Sequence, residues 1–221
     1  MGDIKDKDFV DVEYDIYAND KLVQTTDEKK GKAAKLDIKE YGLQTIIVGK
    51  SFILKGMDEH ITKNPSGKEY TLNLEAKDAY GLRNKALIKT FPKASFEEQK
   101  MRPVVGMTYD FNGTFGTVKS VTGGRVMVDF NNPLAGKVIK LTYTVKKKVD
   151  DIAKKLSTIL NIVLRIPANM YEIKVEGKEI KLLVPAQLSV MKEMLIKSFE
   201  ELIDMKGFKV NVETNPNSPK K

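Results

Sequence analysis

Chemistry in this chain has few residues to draw on. Its 221 residues include no cysteine, so a disulfide, a thiolate nucleophile and a thiolate zinc site are all excluded. His60 is the only histidine, which rules out a multi-histidine metal cluster and argues against a serine triad. A reaction carried out here must need little acid, base or metal, and neither a metal site nor a cofactor is expected. His60 itself reads as a surface residue of a short helix, and Asp58-Glu59 beside it as a solvated pair. The most informative stretch is Val48-Gly49-Lys50-Ser51-Phe52-Ile53-Leu54-Lys55-Gly56-Met57-Asp58-Glu59. It is followed by Pro65-Ser66-Gly67-Lys68-Glu69 and by Ala76-Lys77-Asp78-Ala79-Tyr80-Gly81.

Charge narrows the partners. The chain carries 38 basic against 30 acidic side chains, a formal net charge of +8. Only Arg83, Arg102, Arg125 and Arg165 are arginines, whereas specific base readout leans on arginine. The lysines are scattered among acids, so nucleic acid is not the expected partner, and the lysine-rich composition fits heat-adapted proteins better. Hydrophobic content of 41% and charged content of 31% describe a folded, water-exposed chain. No apolar run approaches the roughly 18 residues that a spanning helix needs, and the first residues lack a signal peptide's apolar stretch. A cytoplasmic protein without a membrane partner is the expectation.

The elements that must position these residues follow from periodicity. Val10, Val12, Tyr14 and Ile16 alternate with Asp11, Glu13 and Asp15 as a half-buried strand does. Asn19-Asp20 is a turn from which Lys21 to Thr25 pairs back. Leu72, Leu74 and Ala76 alternate in the same way, as do Ile139, Leu141, Tyr143 and Val145. These strands predict one antiparallel sheet with a wet face and a covered face. Only Met57 to Lys63 between them reads as helical. In residues 87–130, Thr90 to Phe96 reads as extended and then broken. Val104 to Phe111, Thr114 to Val121 and Arg125 to Phe130 read as short strands around Asn112-Gly113 and Gly123-Gly124 turns. This block is a small β domain inserted between two strands of the first.

Past residue 149, Ile152, Leu156, Ile159, Leu160 and Val163 recur at helical spacing. A hairpin about Gly177-Lys178 follows, then a helix through Leu188, Met191, Leu195, Phe199 and Leu202, and a strand through Phe208, Val210 and Val212. Lys146-Lys147-Lys148 reads as the linker into this part, and Thr214 to Lys221 as a frayed tail. The fold class is α+β: an antiparallel β-sheet wrapped on a short helix, an inserted small β domain, and a C-terminal α-β-β-α-β domain. The boundaries are 1–86 with 131–148, then 87–130, then 149–221.

The motif stretch resembles the FKBP-type peptidyl-prolyl cis/trans isomerases, in which a glycine and an apolar pair lead into a short helix and an Ala-Tyr-Gly signature follows. Asp129-Phe130-Asn131-Asn132-Pro133-Leu134-Ala135-Gly136-Lys137 is similar to the Asn-His-Pro-Leu-Ala-Gly motif of the SlyD-like branch, with Asn132 in place of the histidine. The two together resemble the long archaeal type, which has an inserted flap and an extra C-terminal domain. The resemblance implies prolyl isomerisation in unfolded or proline-containing polypeptides, without a cofactor. It implies Met57 as the pocket floor, Tyr14, Tyr80 and Tyr143 as aromatic walls, and Ile53 and Leu54 as the rim. Tyr80 would offer its hydroxyl to a substrate carbonyl, the Leu54 N–H would hold the peptide, and Phe130 would close the pocket at the re-entry of the flap. The aspartate that the family has after the second strand is absent from Val23-Gln24-Thr25-Thr26.

In relatives the flap binds unfolded chains. Phe91, Phe96, Met101, Val104, Met107 and Tyr109 form an apolar series there, equally readable as an adaptable binding surface or as the core that so small a module requires. A holdase that keeps the fold without catalysis is the alternative function. The first C-terminal helix also offers Ile162 and Leu164, an apolar surplus that predicts a homodimer.

Overall fold

The computed structural model describes residues 3–38, 40–50, 52–64 and 66–215. Ser51, Pro65 and the end of the expected tail, residues 216–221, lie outside the described residues. The chain divides into two compact units, one of residues 1–17, 22–72 and 141–221, the other of residues 18–21 and 73–140.

The first unit is organised on strand β1 (Phe9–Ala18). A turn at Asn19-Asp20, with φ of 50° and 58°, returns the chain into β2 (Lys21–Thr25). Both central residues lie in the left-handed region, which asparagine and aspartate tolerate and tight hairpins require. Helix α1 (Glu28–Ala33) and strand β3 (Gln44–Ile47) follow, and β3 pairs antiparallel to β1. Helix α2 (Lys55–Ile61), strand β4 (Glu69–Leu74) and strand β9 (Ile139–Lys148) complete a five-stranded sheet of order β2-β1-β9-β4, with β3 also on β1.

Three expectations need correction here. Helix α1 was not foreseen; Asp27 caps it by accepting the Lys30 N–H at 3.0 Å, and Gly31 lets the Tyr41 ring occupy the place of a Cβ. Helix α2 begins and ends two residues earlier than the pattern suggested. The supposed wet face of β1 is also partly covered. Glu13 is exposed, but Asp11 and Asp15 are buried, because Lys154 reaches both oxygens of Asp11 at 2.8 Å and Lys30 pairs with Asp15.

In the second unit, Ala76–Asp78 forms a single tight turn where the alternation suggested continuing strand. The flap sheet has the order β5-β8-β7-β6, from β5 (Ile88–Pro92), β6 (Thr108–Phe111), β7 (Thr114–Thr122) and β8 (Arg125–Asp129). The segment read as extended and broken contains helix α3 (Lys93–Glu98). Strand β6 is shorter than the predicted Val104–Phe111, because Gly106 turns the chain at φ +88°. The core of this sheet is Phe96, Val118, Val126 and Val128, with Phe91, Met101, Tyr109, Phe111 and Phe130 packed against it.

The C-terminal part of the first unit runs α4 (Ile152–Thr158), β10 (Glu172–Glu176), β11 (Glu179–Val184), α5 (Ala186–Ser189), α6 (Lys192–Leu202) and β12 (Lys209–Thr214). Helix α4 continues through Ile159–Val163 in wider turns, shown by the Leu164 N–H to Ile159 carbonyl bond of 3.0 Å. The predicted second helix is broken into α5 and α6. Strand β12 lies parallel to β11, so a crossover is needed, and α5 and α6 supply it. Leu156, Ile159, Leu160, Leu195 and Phe199 share one core with Phe9 of β1 and Ile47 of β3, and Leu164 packs against it. The apolar surplus that suggested a homodimer is thus met in part within the chain.

Helix α2 is held on the sheet by its histidine. His60 Nδ1 lies 2.7 Å from the Tyr143 hydroxyl of β9, and its ring meets Tyr70 of β4 edge-on at 5.0 Å. His60 is therefore half-buried rather than a surface residue, and Asp58 is buried rather than solvated. Burial first, and the Lys63 charge second, lower the His60 pKa. In the unfolded chain the imidazole keeps its ordinary value and takes up a proton first as pH falls. Its contribution to stability is therefore complete above about pH 6.5 and is lost as pH drops through the lowered folded value. Thermal unfolding between pH 7.5 and 5 should fall less steeply in His60→Gln than in the wild type. Parallel curves would show that the ring has no part in it.

Candidate active site

In the first unit, the chain reaches α2 through a glycine that nothing else can replace. Gly49 has φ +81°, and the Asp6 carboxylate sits where its Cβ would be. Leu54 then stands at the N-cap of α2 in an extended conformation, its carbonyl accepting from Met57 N at 3.0 Å and Asp58 N at 3.3 Å. This local geometry turns Leu54 and Met57 inward, to 2% and 1% exposure, and leaves Ile53 half-buried.

Tyr14 and Tyr143 stand on β1 and β9, neighbours in the sheet, and both are buried. The Tyr14 backbone is fixed on both sides by Thr26: Tyr14 N donates to Thr26 Oγ1 and Thr26 N donates to the Tyr14 carbonyl, each at 3.0 Å. The Tyr14 hydroxyl accepts from Gln24 Nε2 at 2.7 Å. A neutral amide therefore faces this phenol, in the segment from which the family's aspartate is absent. The Tyr143 hydroxyl is held by His60, and burial first, then the neighbouring Tyr70, push its pKa well above the usual phenol value. Sequence reasoning missed both partners. For His60 a signal existed: it lies three residues after Met57, on the flank of the buried Met57–Ile61 stripe. For Gln24 there was none beyond the missing carboxylate.

Tyr80 and Phe130 belong to the second unit. The Ala76–Asp78 turn and the 2.6 Å bond from Gly81 N to the Ala76 carbonyl fold the segment back on itself just where Tyr80 emerges. Tyr80 is half-buried, and burial raises its pKa, so the hydroxyl keeps its proton and can donate at neutral pH. Phe130, expected as a closing residue, packs edge-on in the flap's aromatic cluster, its ring 5.2 Å from Phe111 and 6.1 Å from Phe91.

The flap series separates by burial. Phe96 is 2% exposed, and Phe91, Met101 and Tyr109 are half-buried around it, whereas Val104 and Met107 are 48% and 55% exposed. Tyr109 also pins its loop, donating to the Arg102 carbonyl at 2.6 Å and accepting from Val104 N at 3.1 Å. A groove of about 430 Å³ opens in the flap, walled by Phe91, Phe96, Met101, Phe111 and Phe130, with Lys89 at its edge. Phe111 was not foreseen as a lining residue.

Among the described residues, no group of three or more His, Cys, Asp or Glu side chains is placed to hold a metal ion, and no helix is long and apolar enough to cross a membrane. The family profile described as FKBP26, IF domain matches residues 89–134, which is the flap sheet and the loop after it. A short-type peptidyl-prolyl cis-trans isomerase of Methanocaldococcus jannaschii is 32% identical over 145 residues, 65% of this chain and 92% of that protein. The FKBP-type peptidyl-prolyl cis-trans isomerase SlyD of Helicobacter pylori is 29% identical over 102 residues, 45% of this chain and 55% of that protein. An FKBP-type 16 kDa peptidyl-prolyl cis-trans isomerase of Escherichia coli is 27% identical over 97 residues, covering 42% of this chain and 64% of that protein. With the glycine-led α2, the buried Leu54–Met57 pair and the Ala-Tyr-Gly turn all in place, this chain belongs to the FKBP-type peptidyl-prolyl cis-trans isomerases.

Proposed function

We propose that the protein accelerates proline-limited folding: the first unit turns the prolyl bond on an apolar surface built from Leu54, Met57, Tyr14 and Tyr143, and the flap groove holds the unfolded chain that contains it. The bond before proline is held planar by resonance, with a barrier of about 18–20 kcal/mol. In the twisted transition state that resonance is lost and the amide is less dipolar. An apolar surface therefore favours the twisted form over the planar one, and differential binding of this kind is what lowers the barrier. No proton need be transferred. A phenol that stays protonated, as burial keeps Tyr80, can donate to a substrate carbonyl and hold the peptide while the bond rotates.

The observation that carries the chaperone half is the flap groove. It is lined by six apolar side chains, Leu87, Phe91, Phe96, Met101, Phe111 and Phe130, and of these Phe91 and Phe111 meet the buried Phe96 edge-on. Aromatic and methionine walls suit a partner of variable sequence. The exposed Val104, Val105, Met107 and Phe115 add apolar surface in the same sheet unit. The partner this describes is an unfolded, proline-containing polypeptide.

Tyr80→Ala should slow exchange of an Ala-Pro peptide by about tenfold, the worth of one hydrogen bond of about 1.4 kcal/mol. NMR exchange spectroscopy with and without the protein reads this directly. Suppressed aggregation by the wild type with no faster peptide exchange would instead identify a holdase. Phe111→Ala should weaken both the suppression of aggregation and the refolding of a proline-limited protein, while leaving the short-peptide rate unchanged. Parallel loss of all three would refute the division of labour between groove and pocket.

A further inference from the structure

Within the second unit, the turn that carries Tyr80 is spliced to the base of the flap sheet. Gly136 N donates to the Gly81 carbonyl at 2.8 Å, so the loop after the flap closes on the residue next to Tyr80. Two residues further on, the Arg83 stem crosses the face of Gly136, its Cγ 3.0 Å from where a Cβ would stand. A side chain at 136 would meet that stem, and its φ of +77° disfavours one in any case. The Arg83 guanidinium continues to Asp129, the last residue of β8, and pairs with Oδ2.

Asp129 is 4% exposed. Its other oxygen, Oδ1, accepts from Asn131 N at 3.0 Å and Asn131 Nδ2 at 2.7 Å. Asn131 in turn accepts from Asn84 N at 2.8 Å and donates to the Asn84 carbonyl at 3.0 Å. Lys119 stands 3.9 Å from the same carboxylate but touches nothing of the Tyr80 turn among these contacts. Burial alone would raise the Asp129 pKa, yet the bonds from Asn131 and Arg83 outweigh it and the pKa is lowered, so the carboxylate is charged at neutral pH. A buried charge of this kind fixes its cation in place, since removing one partner leaves the other uncompensated.

We infer that Arg83 is a positioning residue for the isomerase reaction: by bridging Gly136 and Asp129 it splints the Tyr80 turn to the flap strands and sets the angle at which the Tyr80 hydroxyl is presented. The inference rests on the reading of Tyr80 as a group that binds the substrate carbonyl. It assigns chemistry to a residue that no motif pointed to, and it makes Tyr80 and the flap base one rigid body.

The test is a kinetic cycle on an Ala-Pro peptide with the full chain. Arg83→Gln should lower kcat by up to about tenfold with KM nearly unchanged, no more than the loss of the Tyr80 hydrogen bond through which it acts. Arg83→Lys, which restores the charge, should recover part of it. Lys119→Gln should leave kcat as in the wild type. In a Tyr80→Phe background, Arg83→Gln should cost nothing more, because its effect passes through that hydroxyl. Should Arg83→Gln fail to fold, the doubly neutral Arg83→Met/Asp129→Asn protein removes the buried charge and should show the same loss. A folded Arg83 variant with wild-type kcat, beside a slow Tyr80→Phe, would overturn the inference alone. Tyr80→Phe with wild-type kcat would overturn the role of Tyr80 and the inference with it, and additive losses would reduce Arg83 to a structural part.

Discussion

The first unit depends on the register of β1. This strand pairs with β2, β9 and β3, and it is covered on both faces. One face carries Val10, Val12, Tyr14 and Ile16; the other carries Asp11 and Asp15, each buried and each matched to its own lysine. A shift by one residue would send every side chain to the opposite face. It would put two carboxylates into the apolar side and strand Lys154 and Lys30 without partners. Each lysine is about half exposed while its carboxylate is buried, so losing the lysine would leave a charge inside the protein without its counter-ion. Tyr14 therefore stands where it does because Asp11, three residues away, can stand nowhere else.

The same strand explains why the C-terminal elements share a core with it. Lys154 on α4 answers Asp11, and Thr45 of β3 donates to the same carboxylate at 2.6 Å. Phe9 and Ile47 then join the cluster built by Leu156, Ile159, Leu195 and Phe199. Polar pairing sets the register, and apolar burial supplies the larger energy, at about 25 cal/mol per Å² removed from water.

What could be read from the sequence was what depends on near neighbours. The alternation in β1, β4 and β9, the flap turns at Asn112-Gly113 and Gly123-Gly124, and the hairpin at Gly177-Lys178 all follow from local steric rules, and they occur where expected. The α2 stretch and the Ala-Tyr-Gly turn were legible as a motif, so Leu54, Met57 and Tyr80 could be named. What escaped depends on partners far along the chain. His60 is 83 residues from Tyr143, Asp11 is 143 from Lys154, and Arg83 is 46 from Asp129. Nothing in the local pattern distinguishes Asp11 and Arg83 from solvated residues, and for His60 the hint was only its place on the flank of the α2 stripe. Helices α1 and α3 escaped for another reason, since each is only six residues long and too short to show a period.

The scarcity of titratable side chains also acquires a physical sense. Twisting an amide separates no charge, so a charged group beside the bond has nothing to stabilise in the transition state that it does not stabilise as well in the planar form. Such a group would also have to be desolvated. Phenols avoid both problems. Each has a large apolar body and one hydrogen-bonding tip, and burial raises the pKa values of Tyr80 and Tyr143, which keeps those tips neutral. The partners found for Tyr14 and Tyr143 are an amide and an imidazole of lowered pKa, so both phenols are oriented by groups that are neutral at neutral pH. The buried carboxylates Asp11, Asp15 and Asp129 are each tied to a basic side chain, so that their fixed charge holds one backbone segment to another.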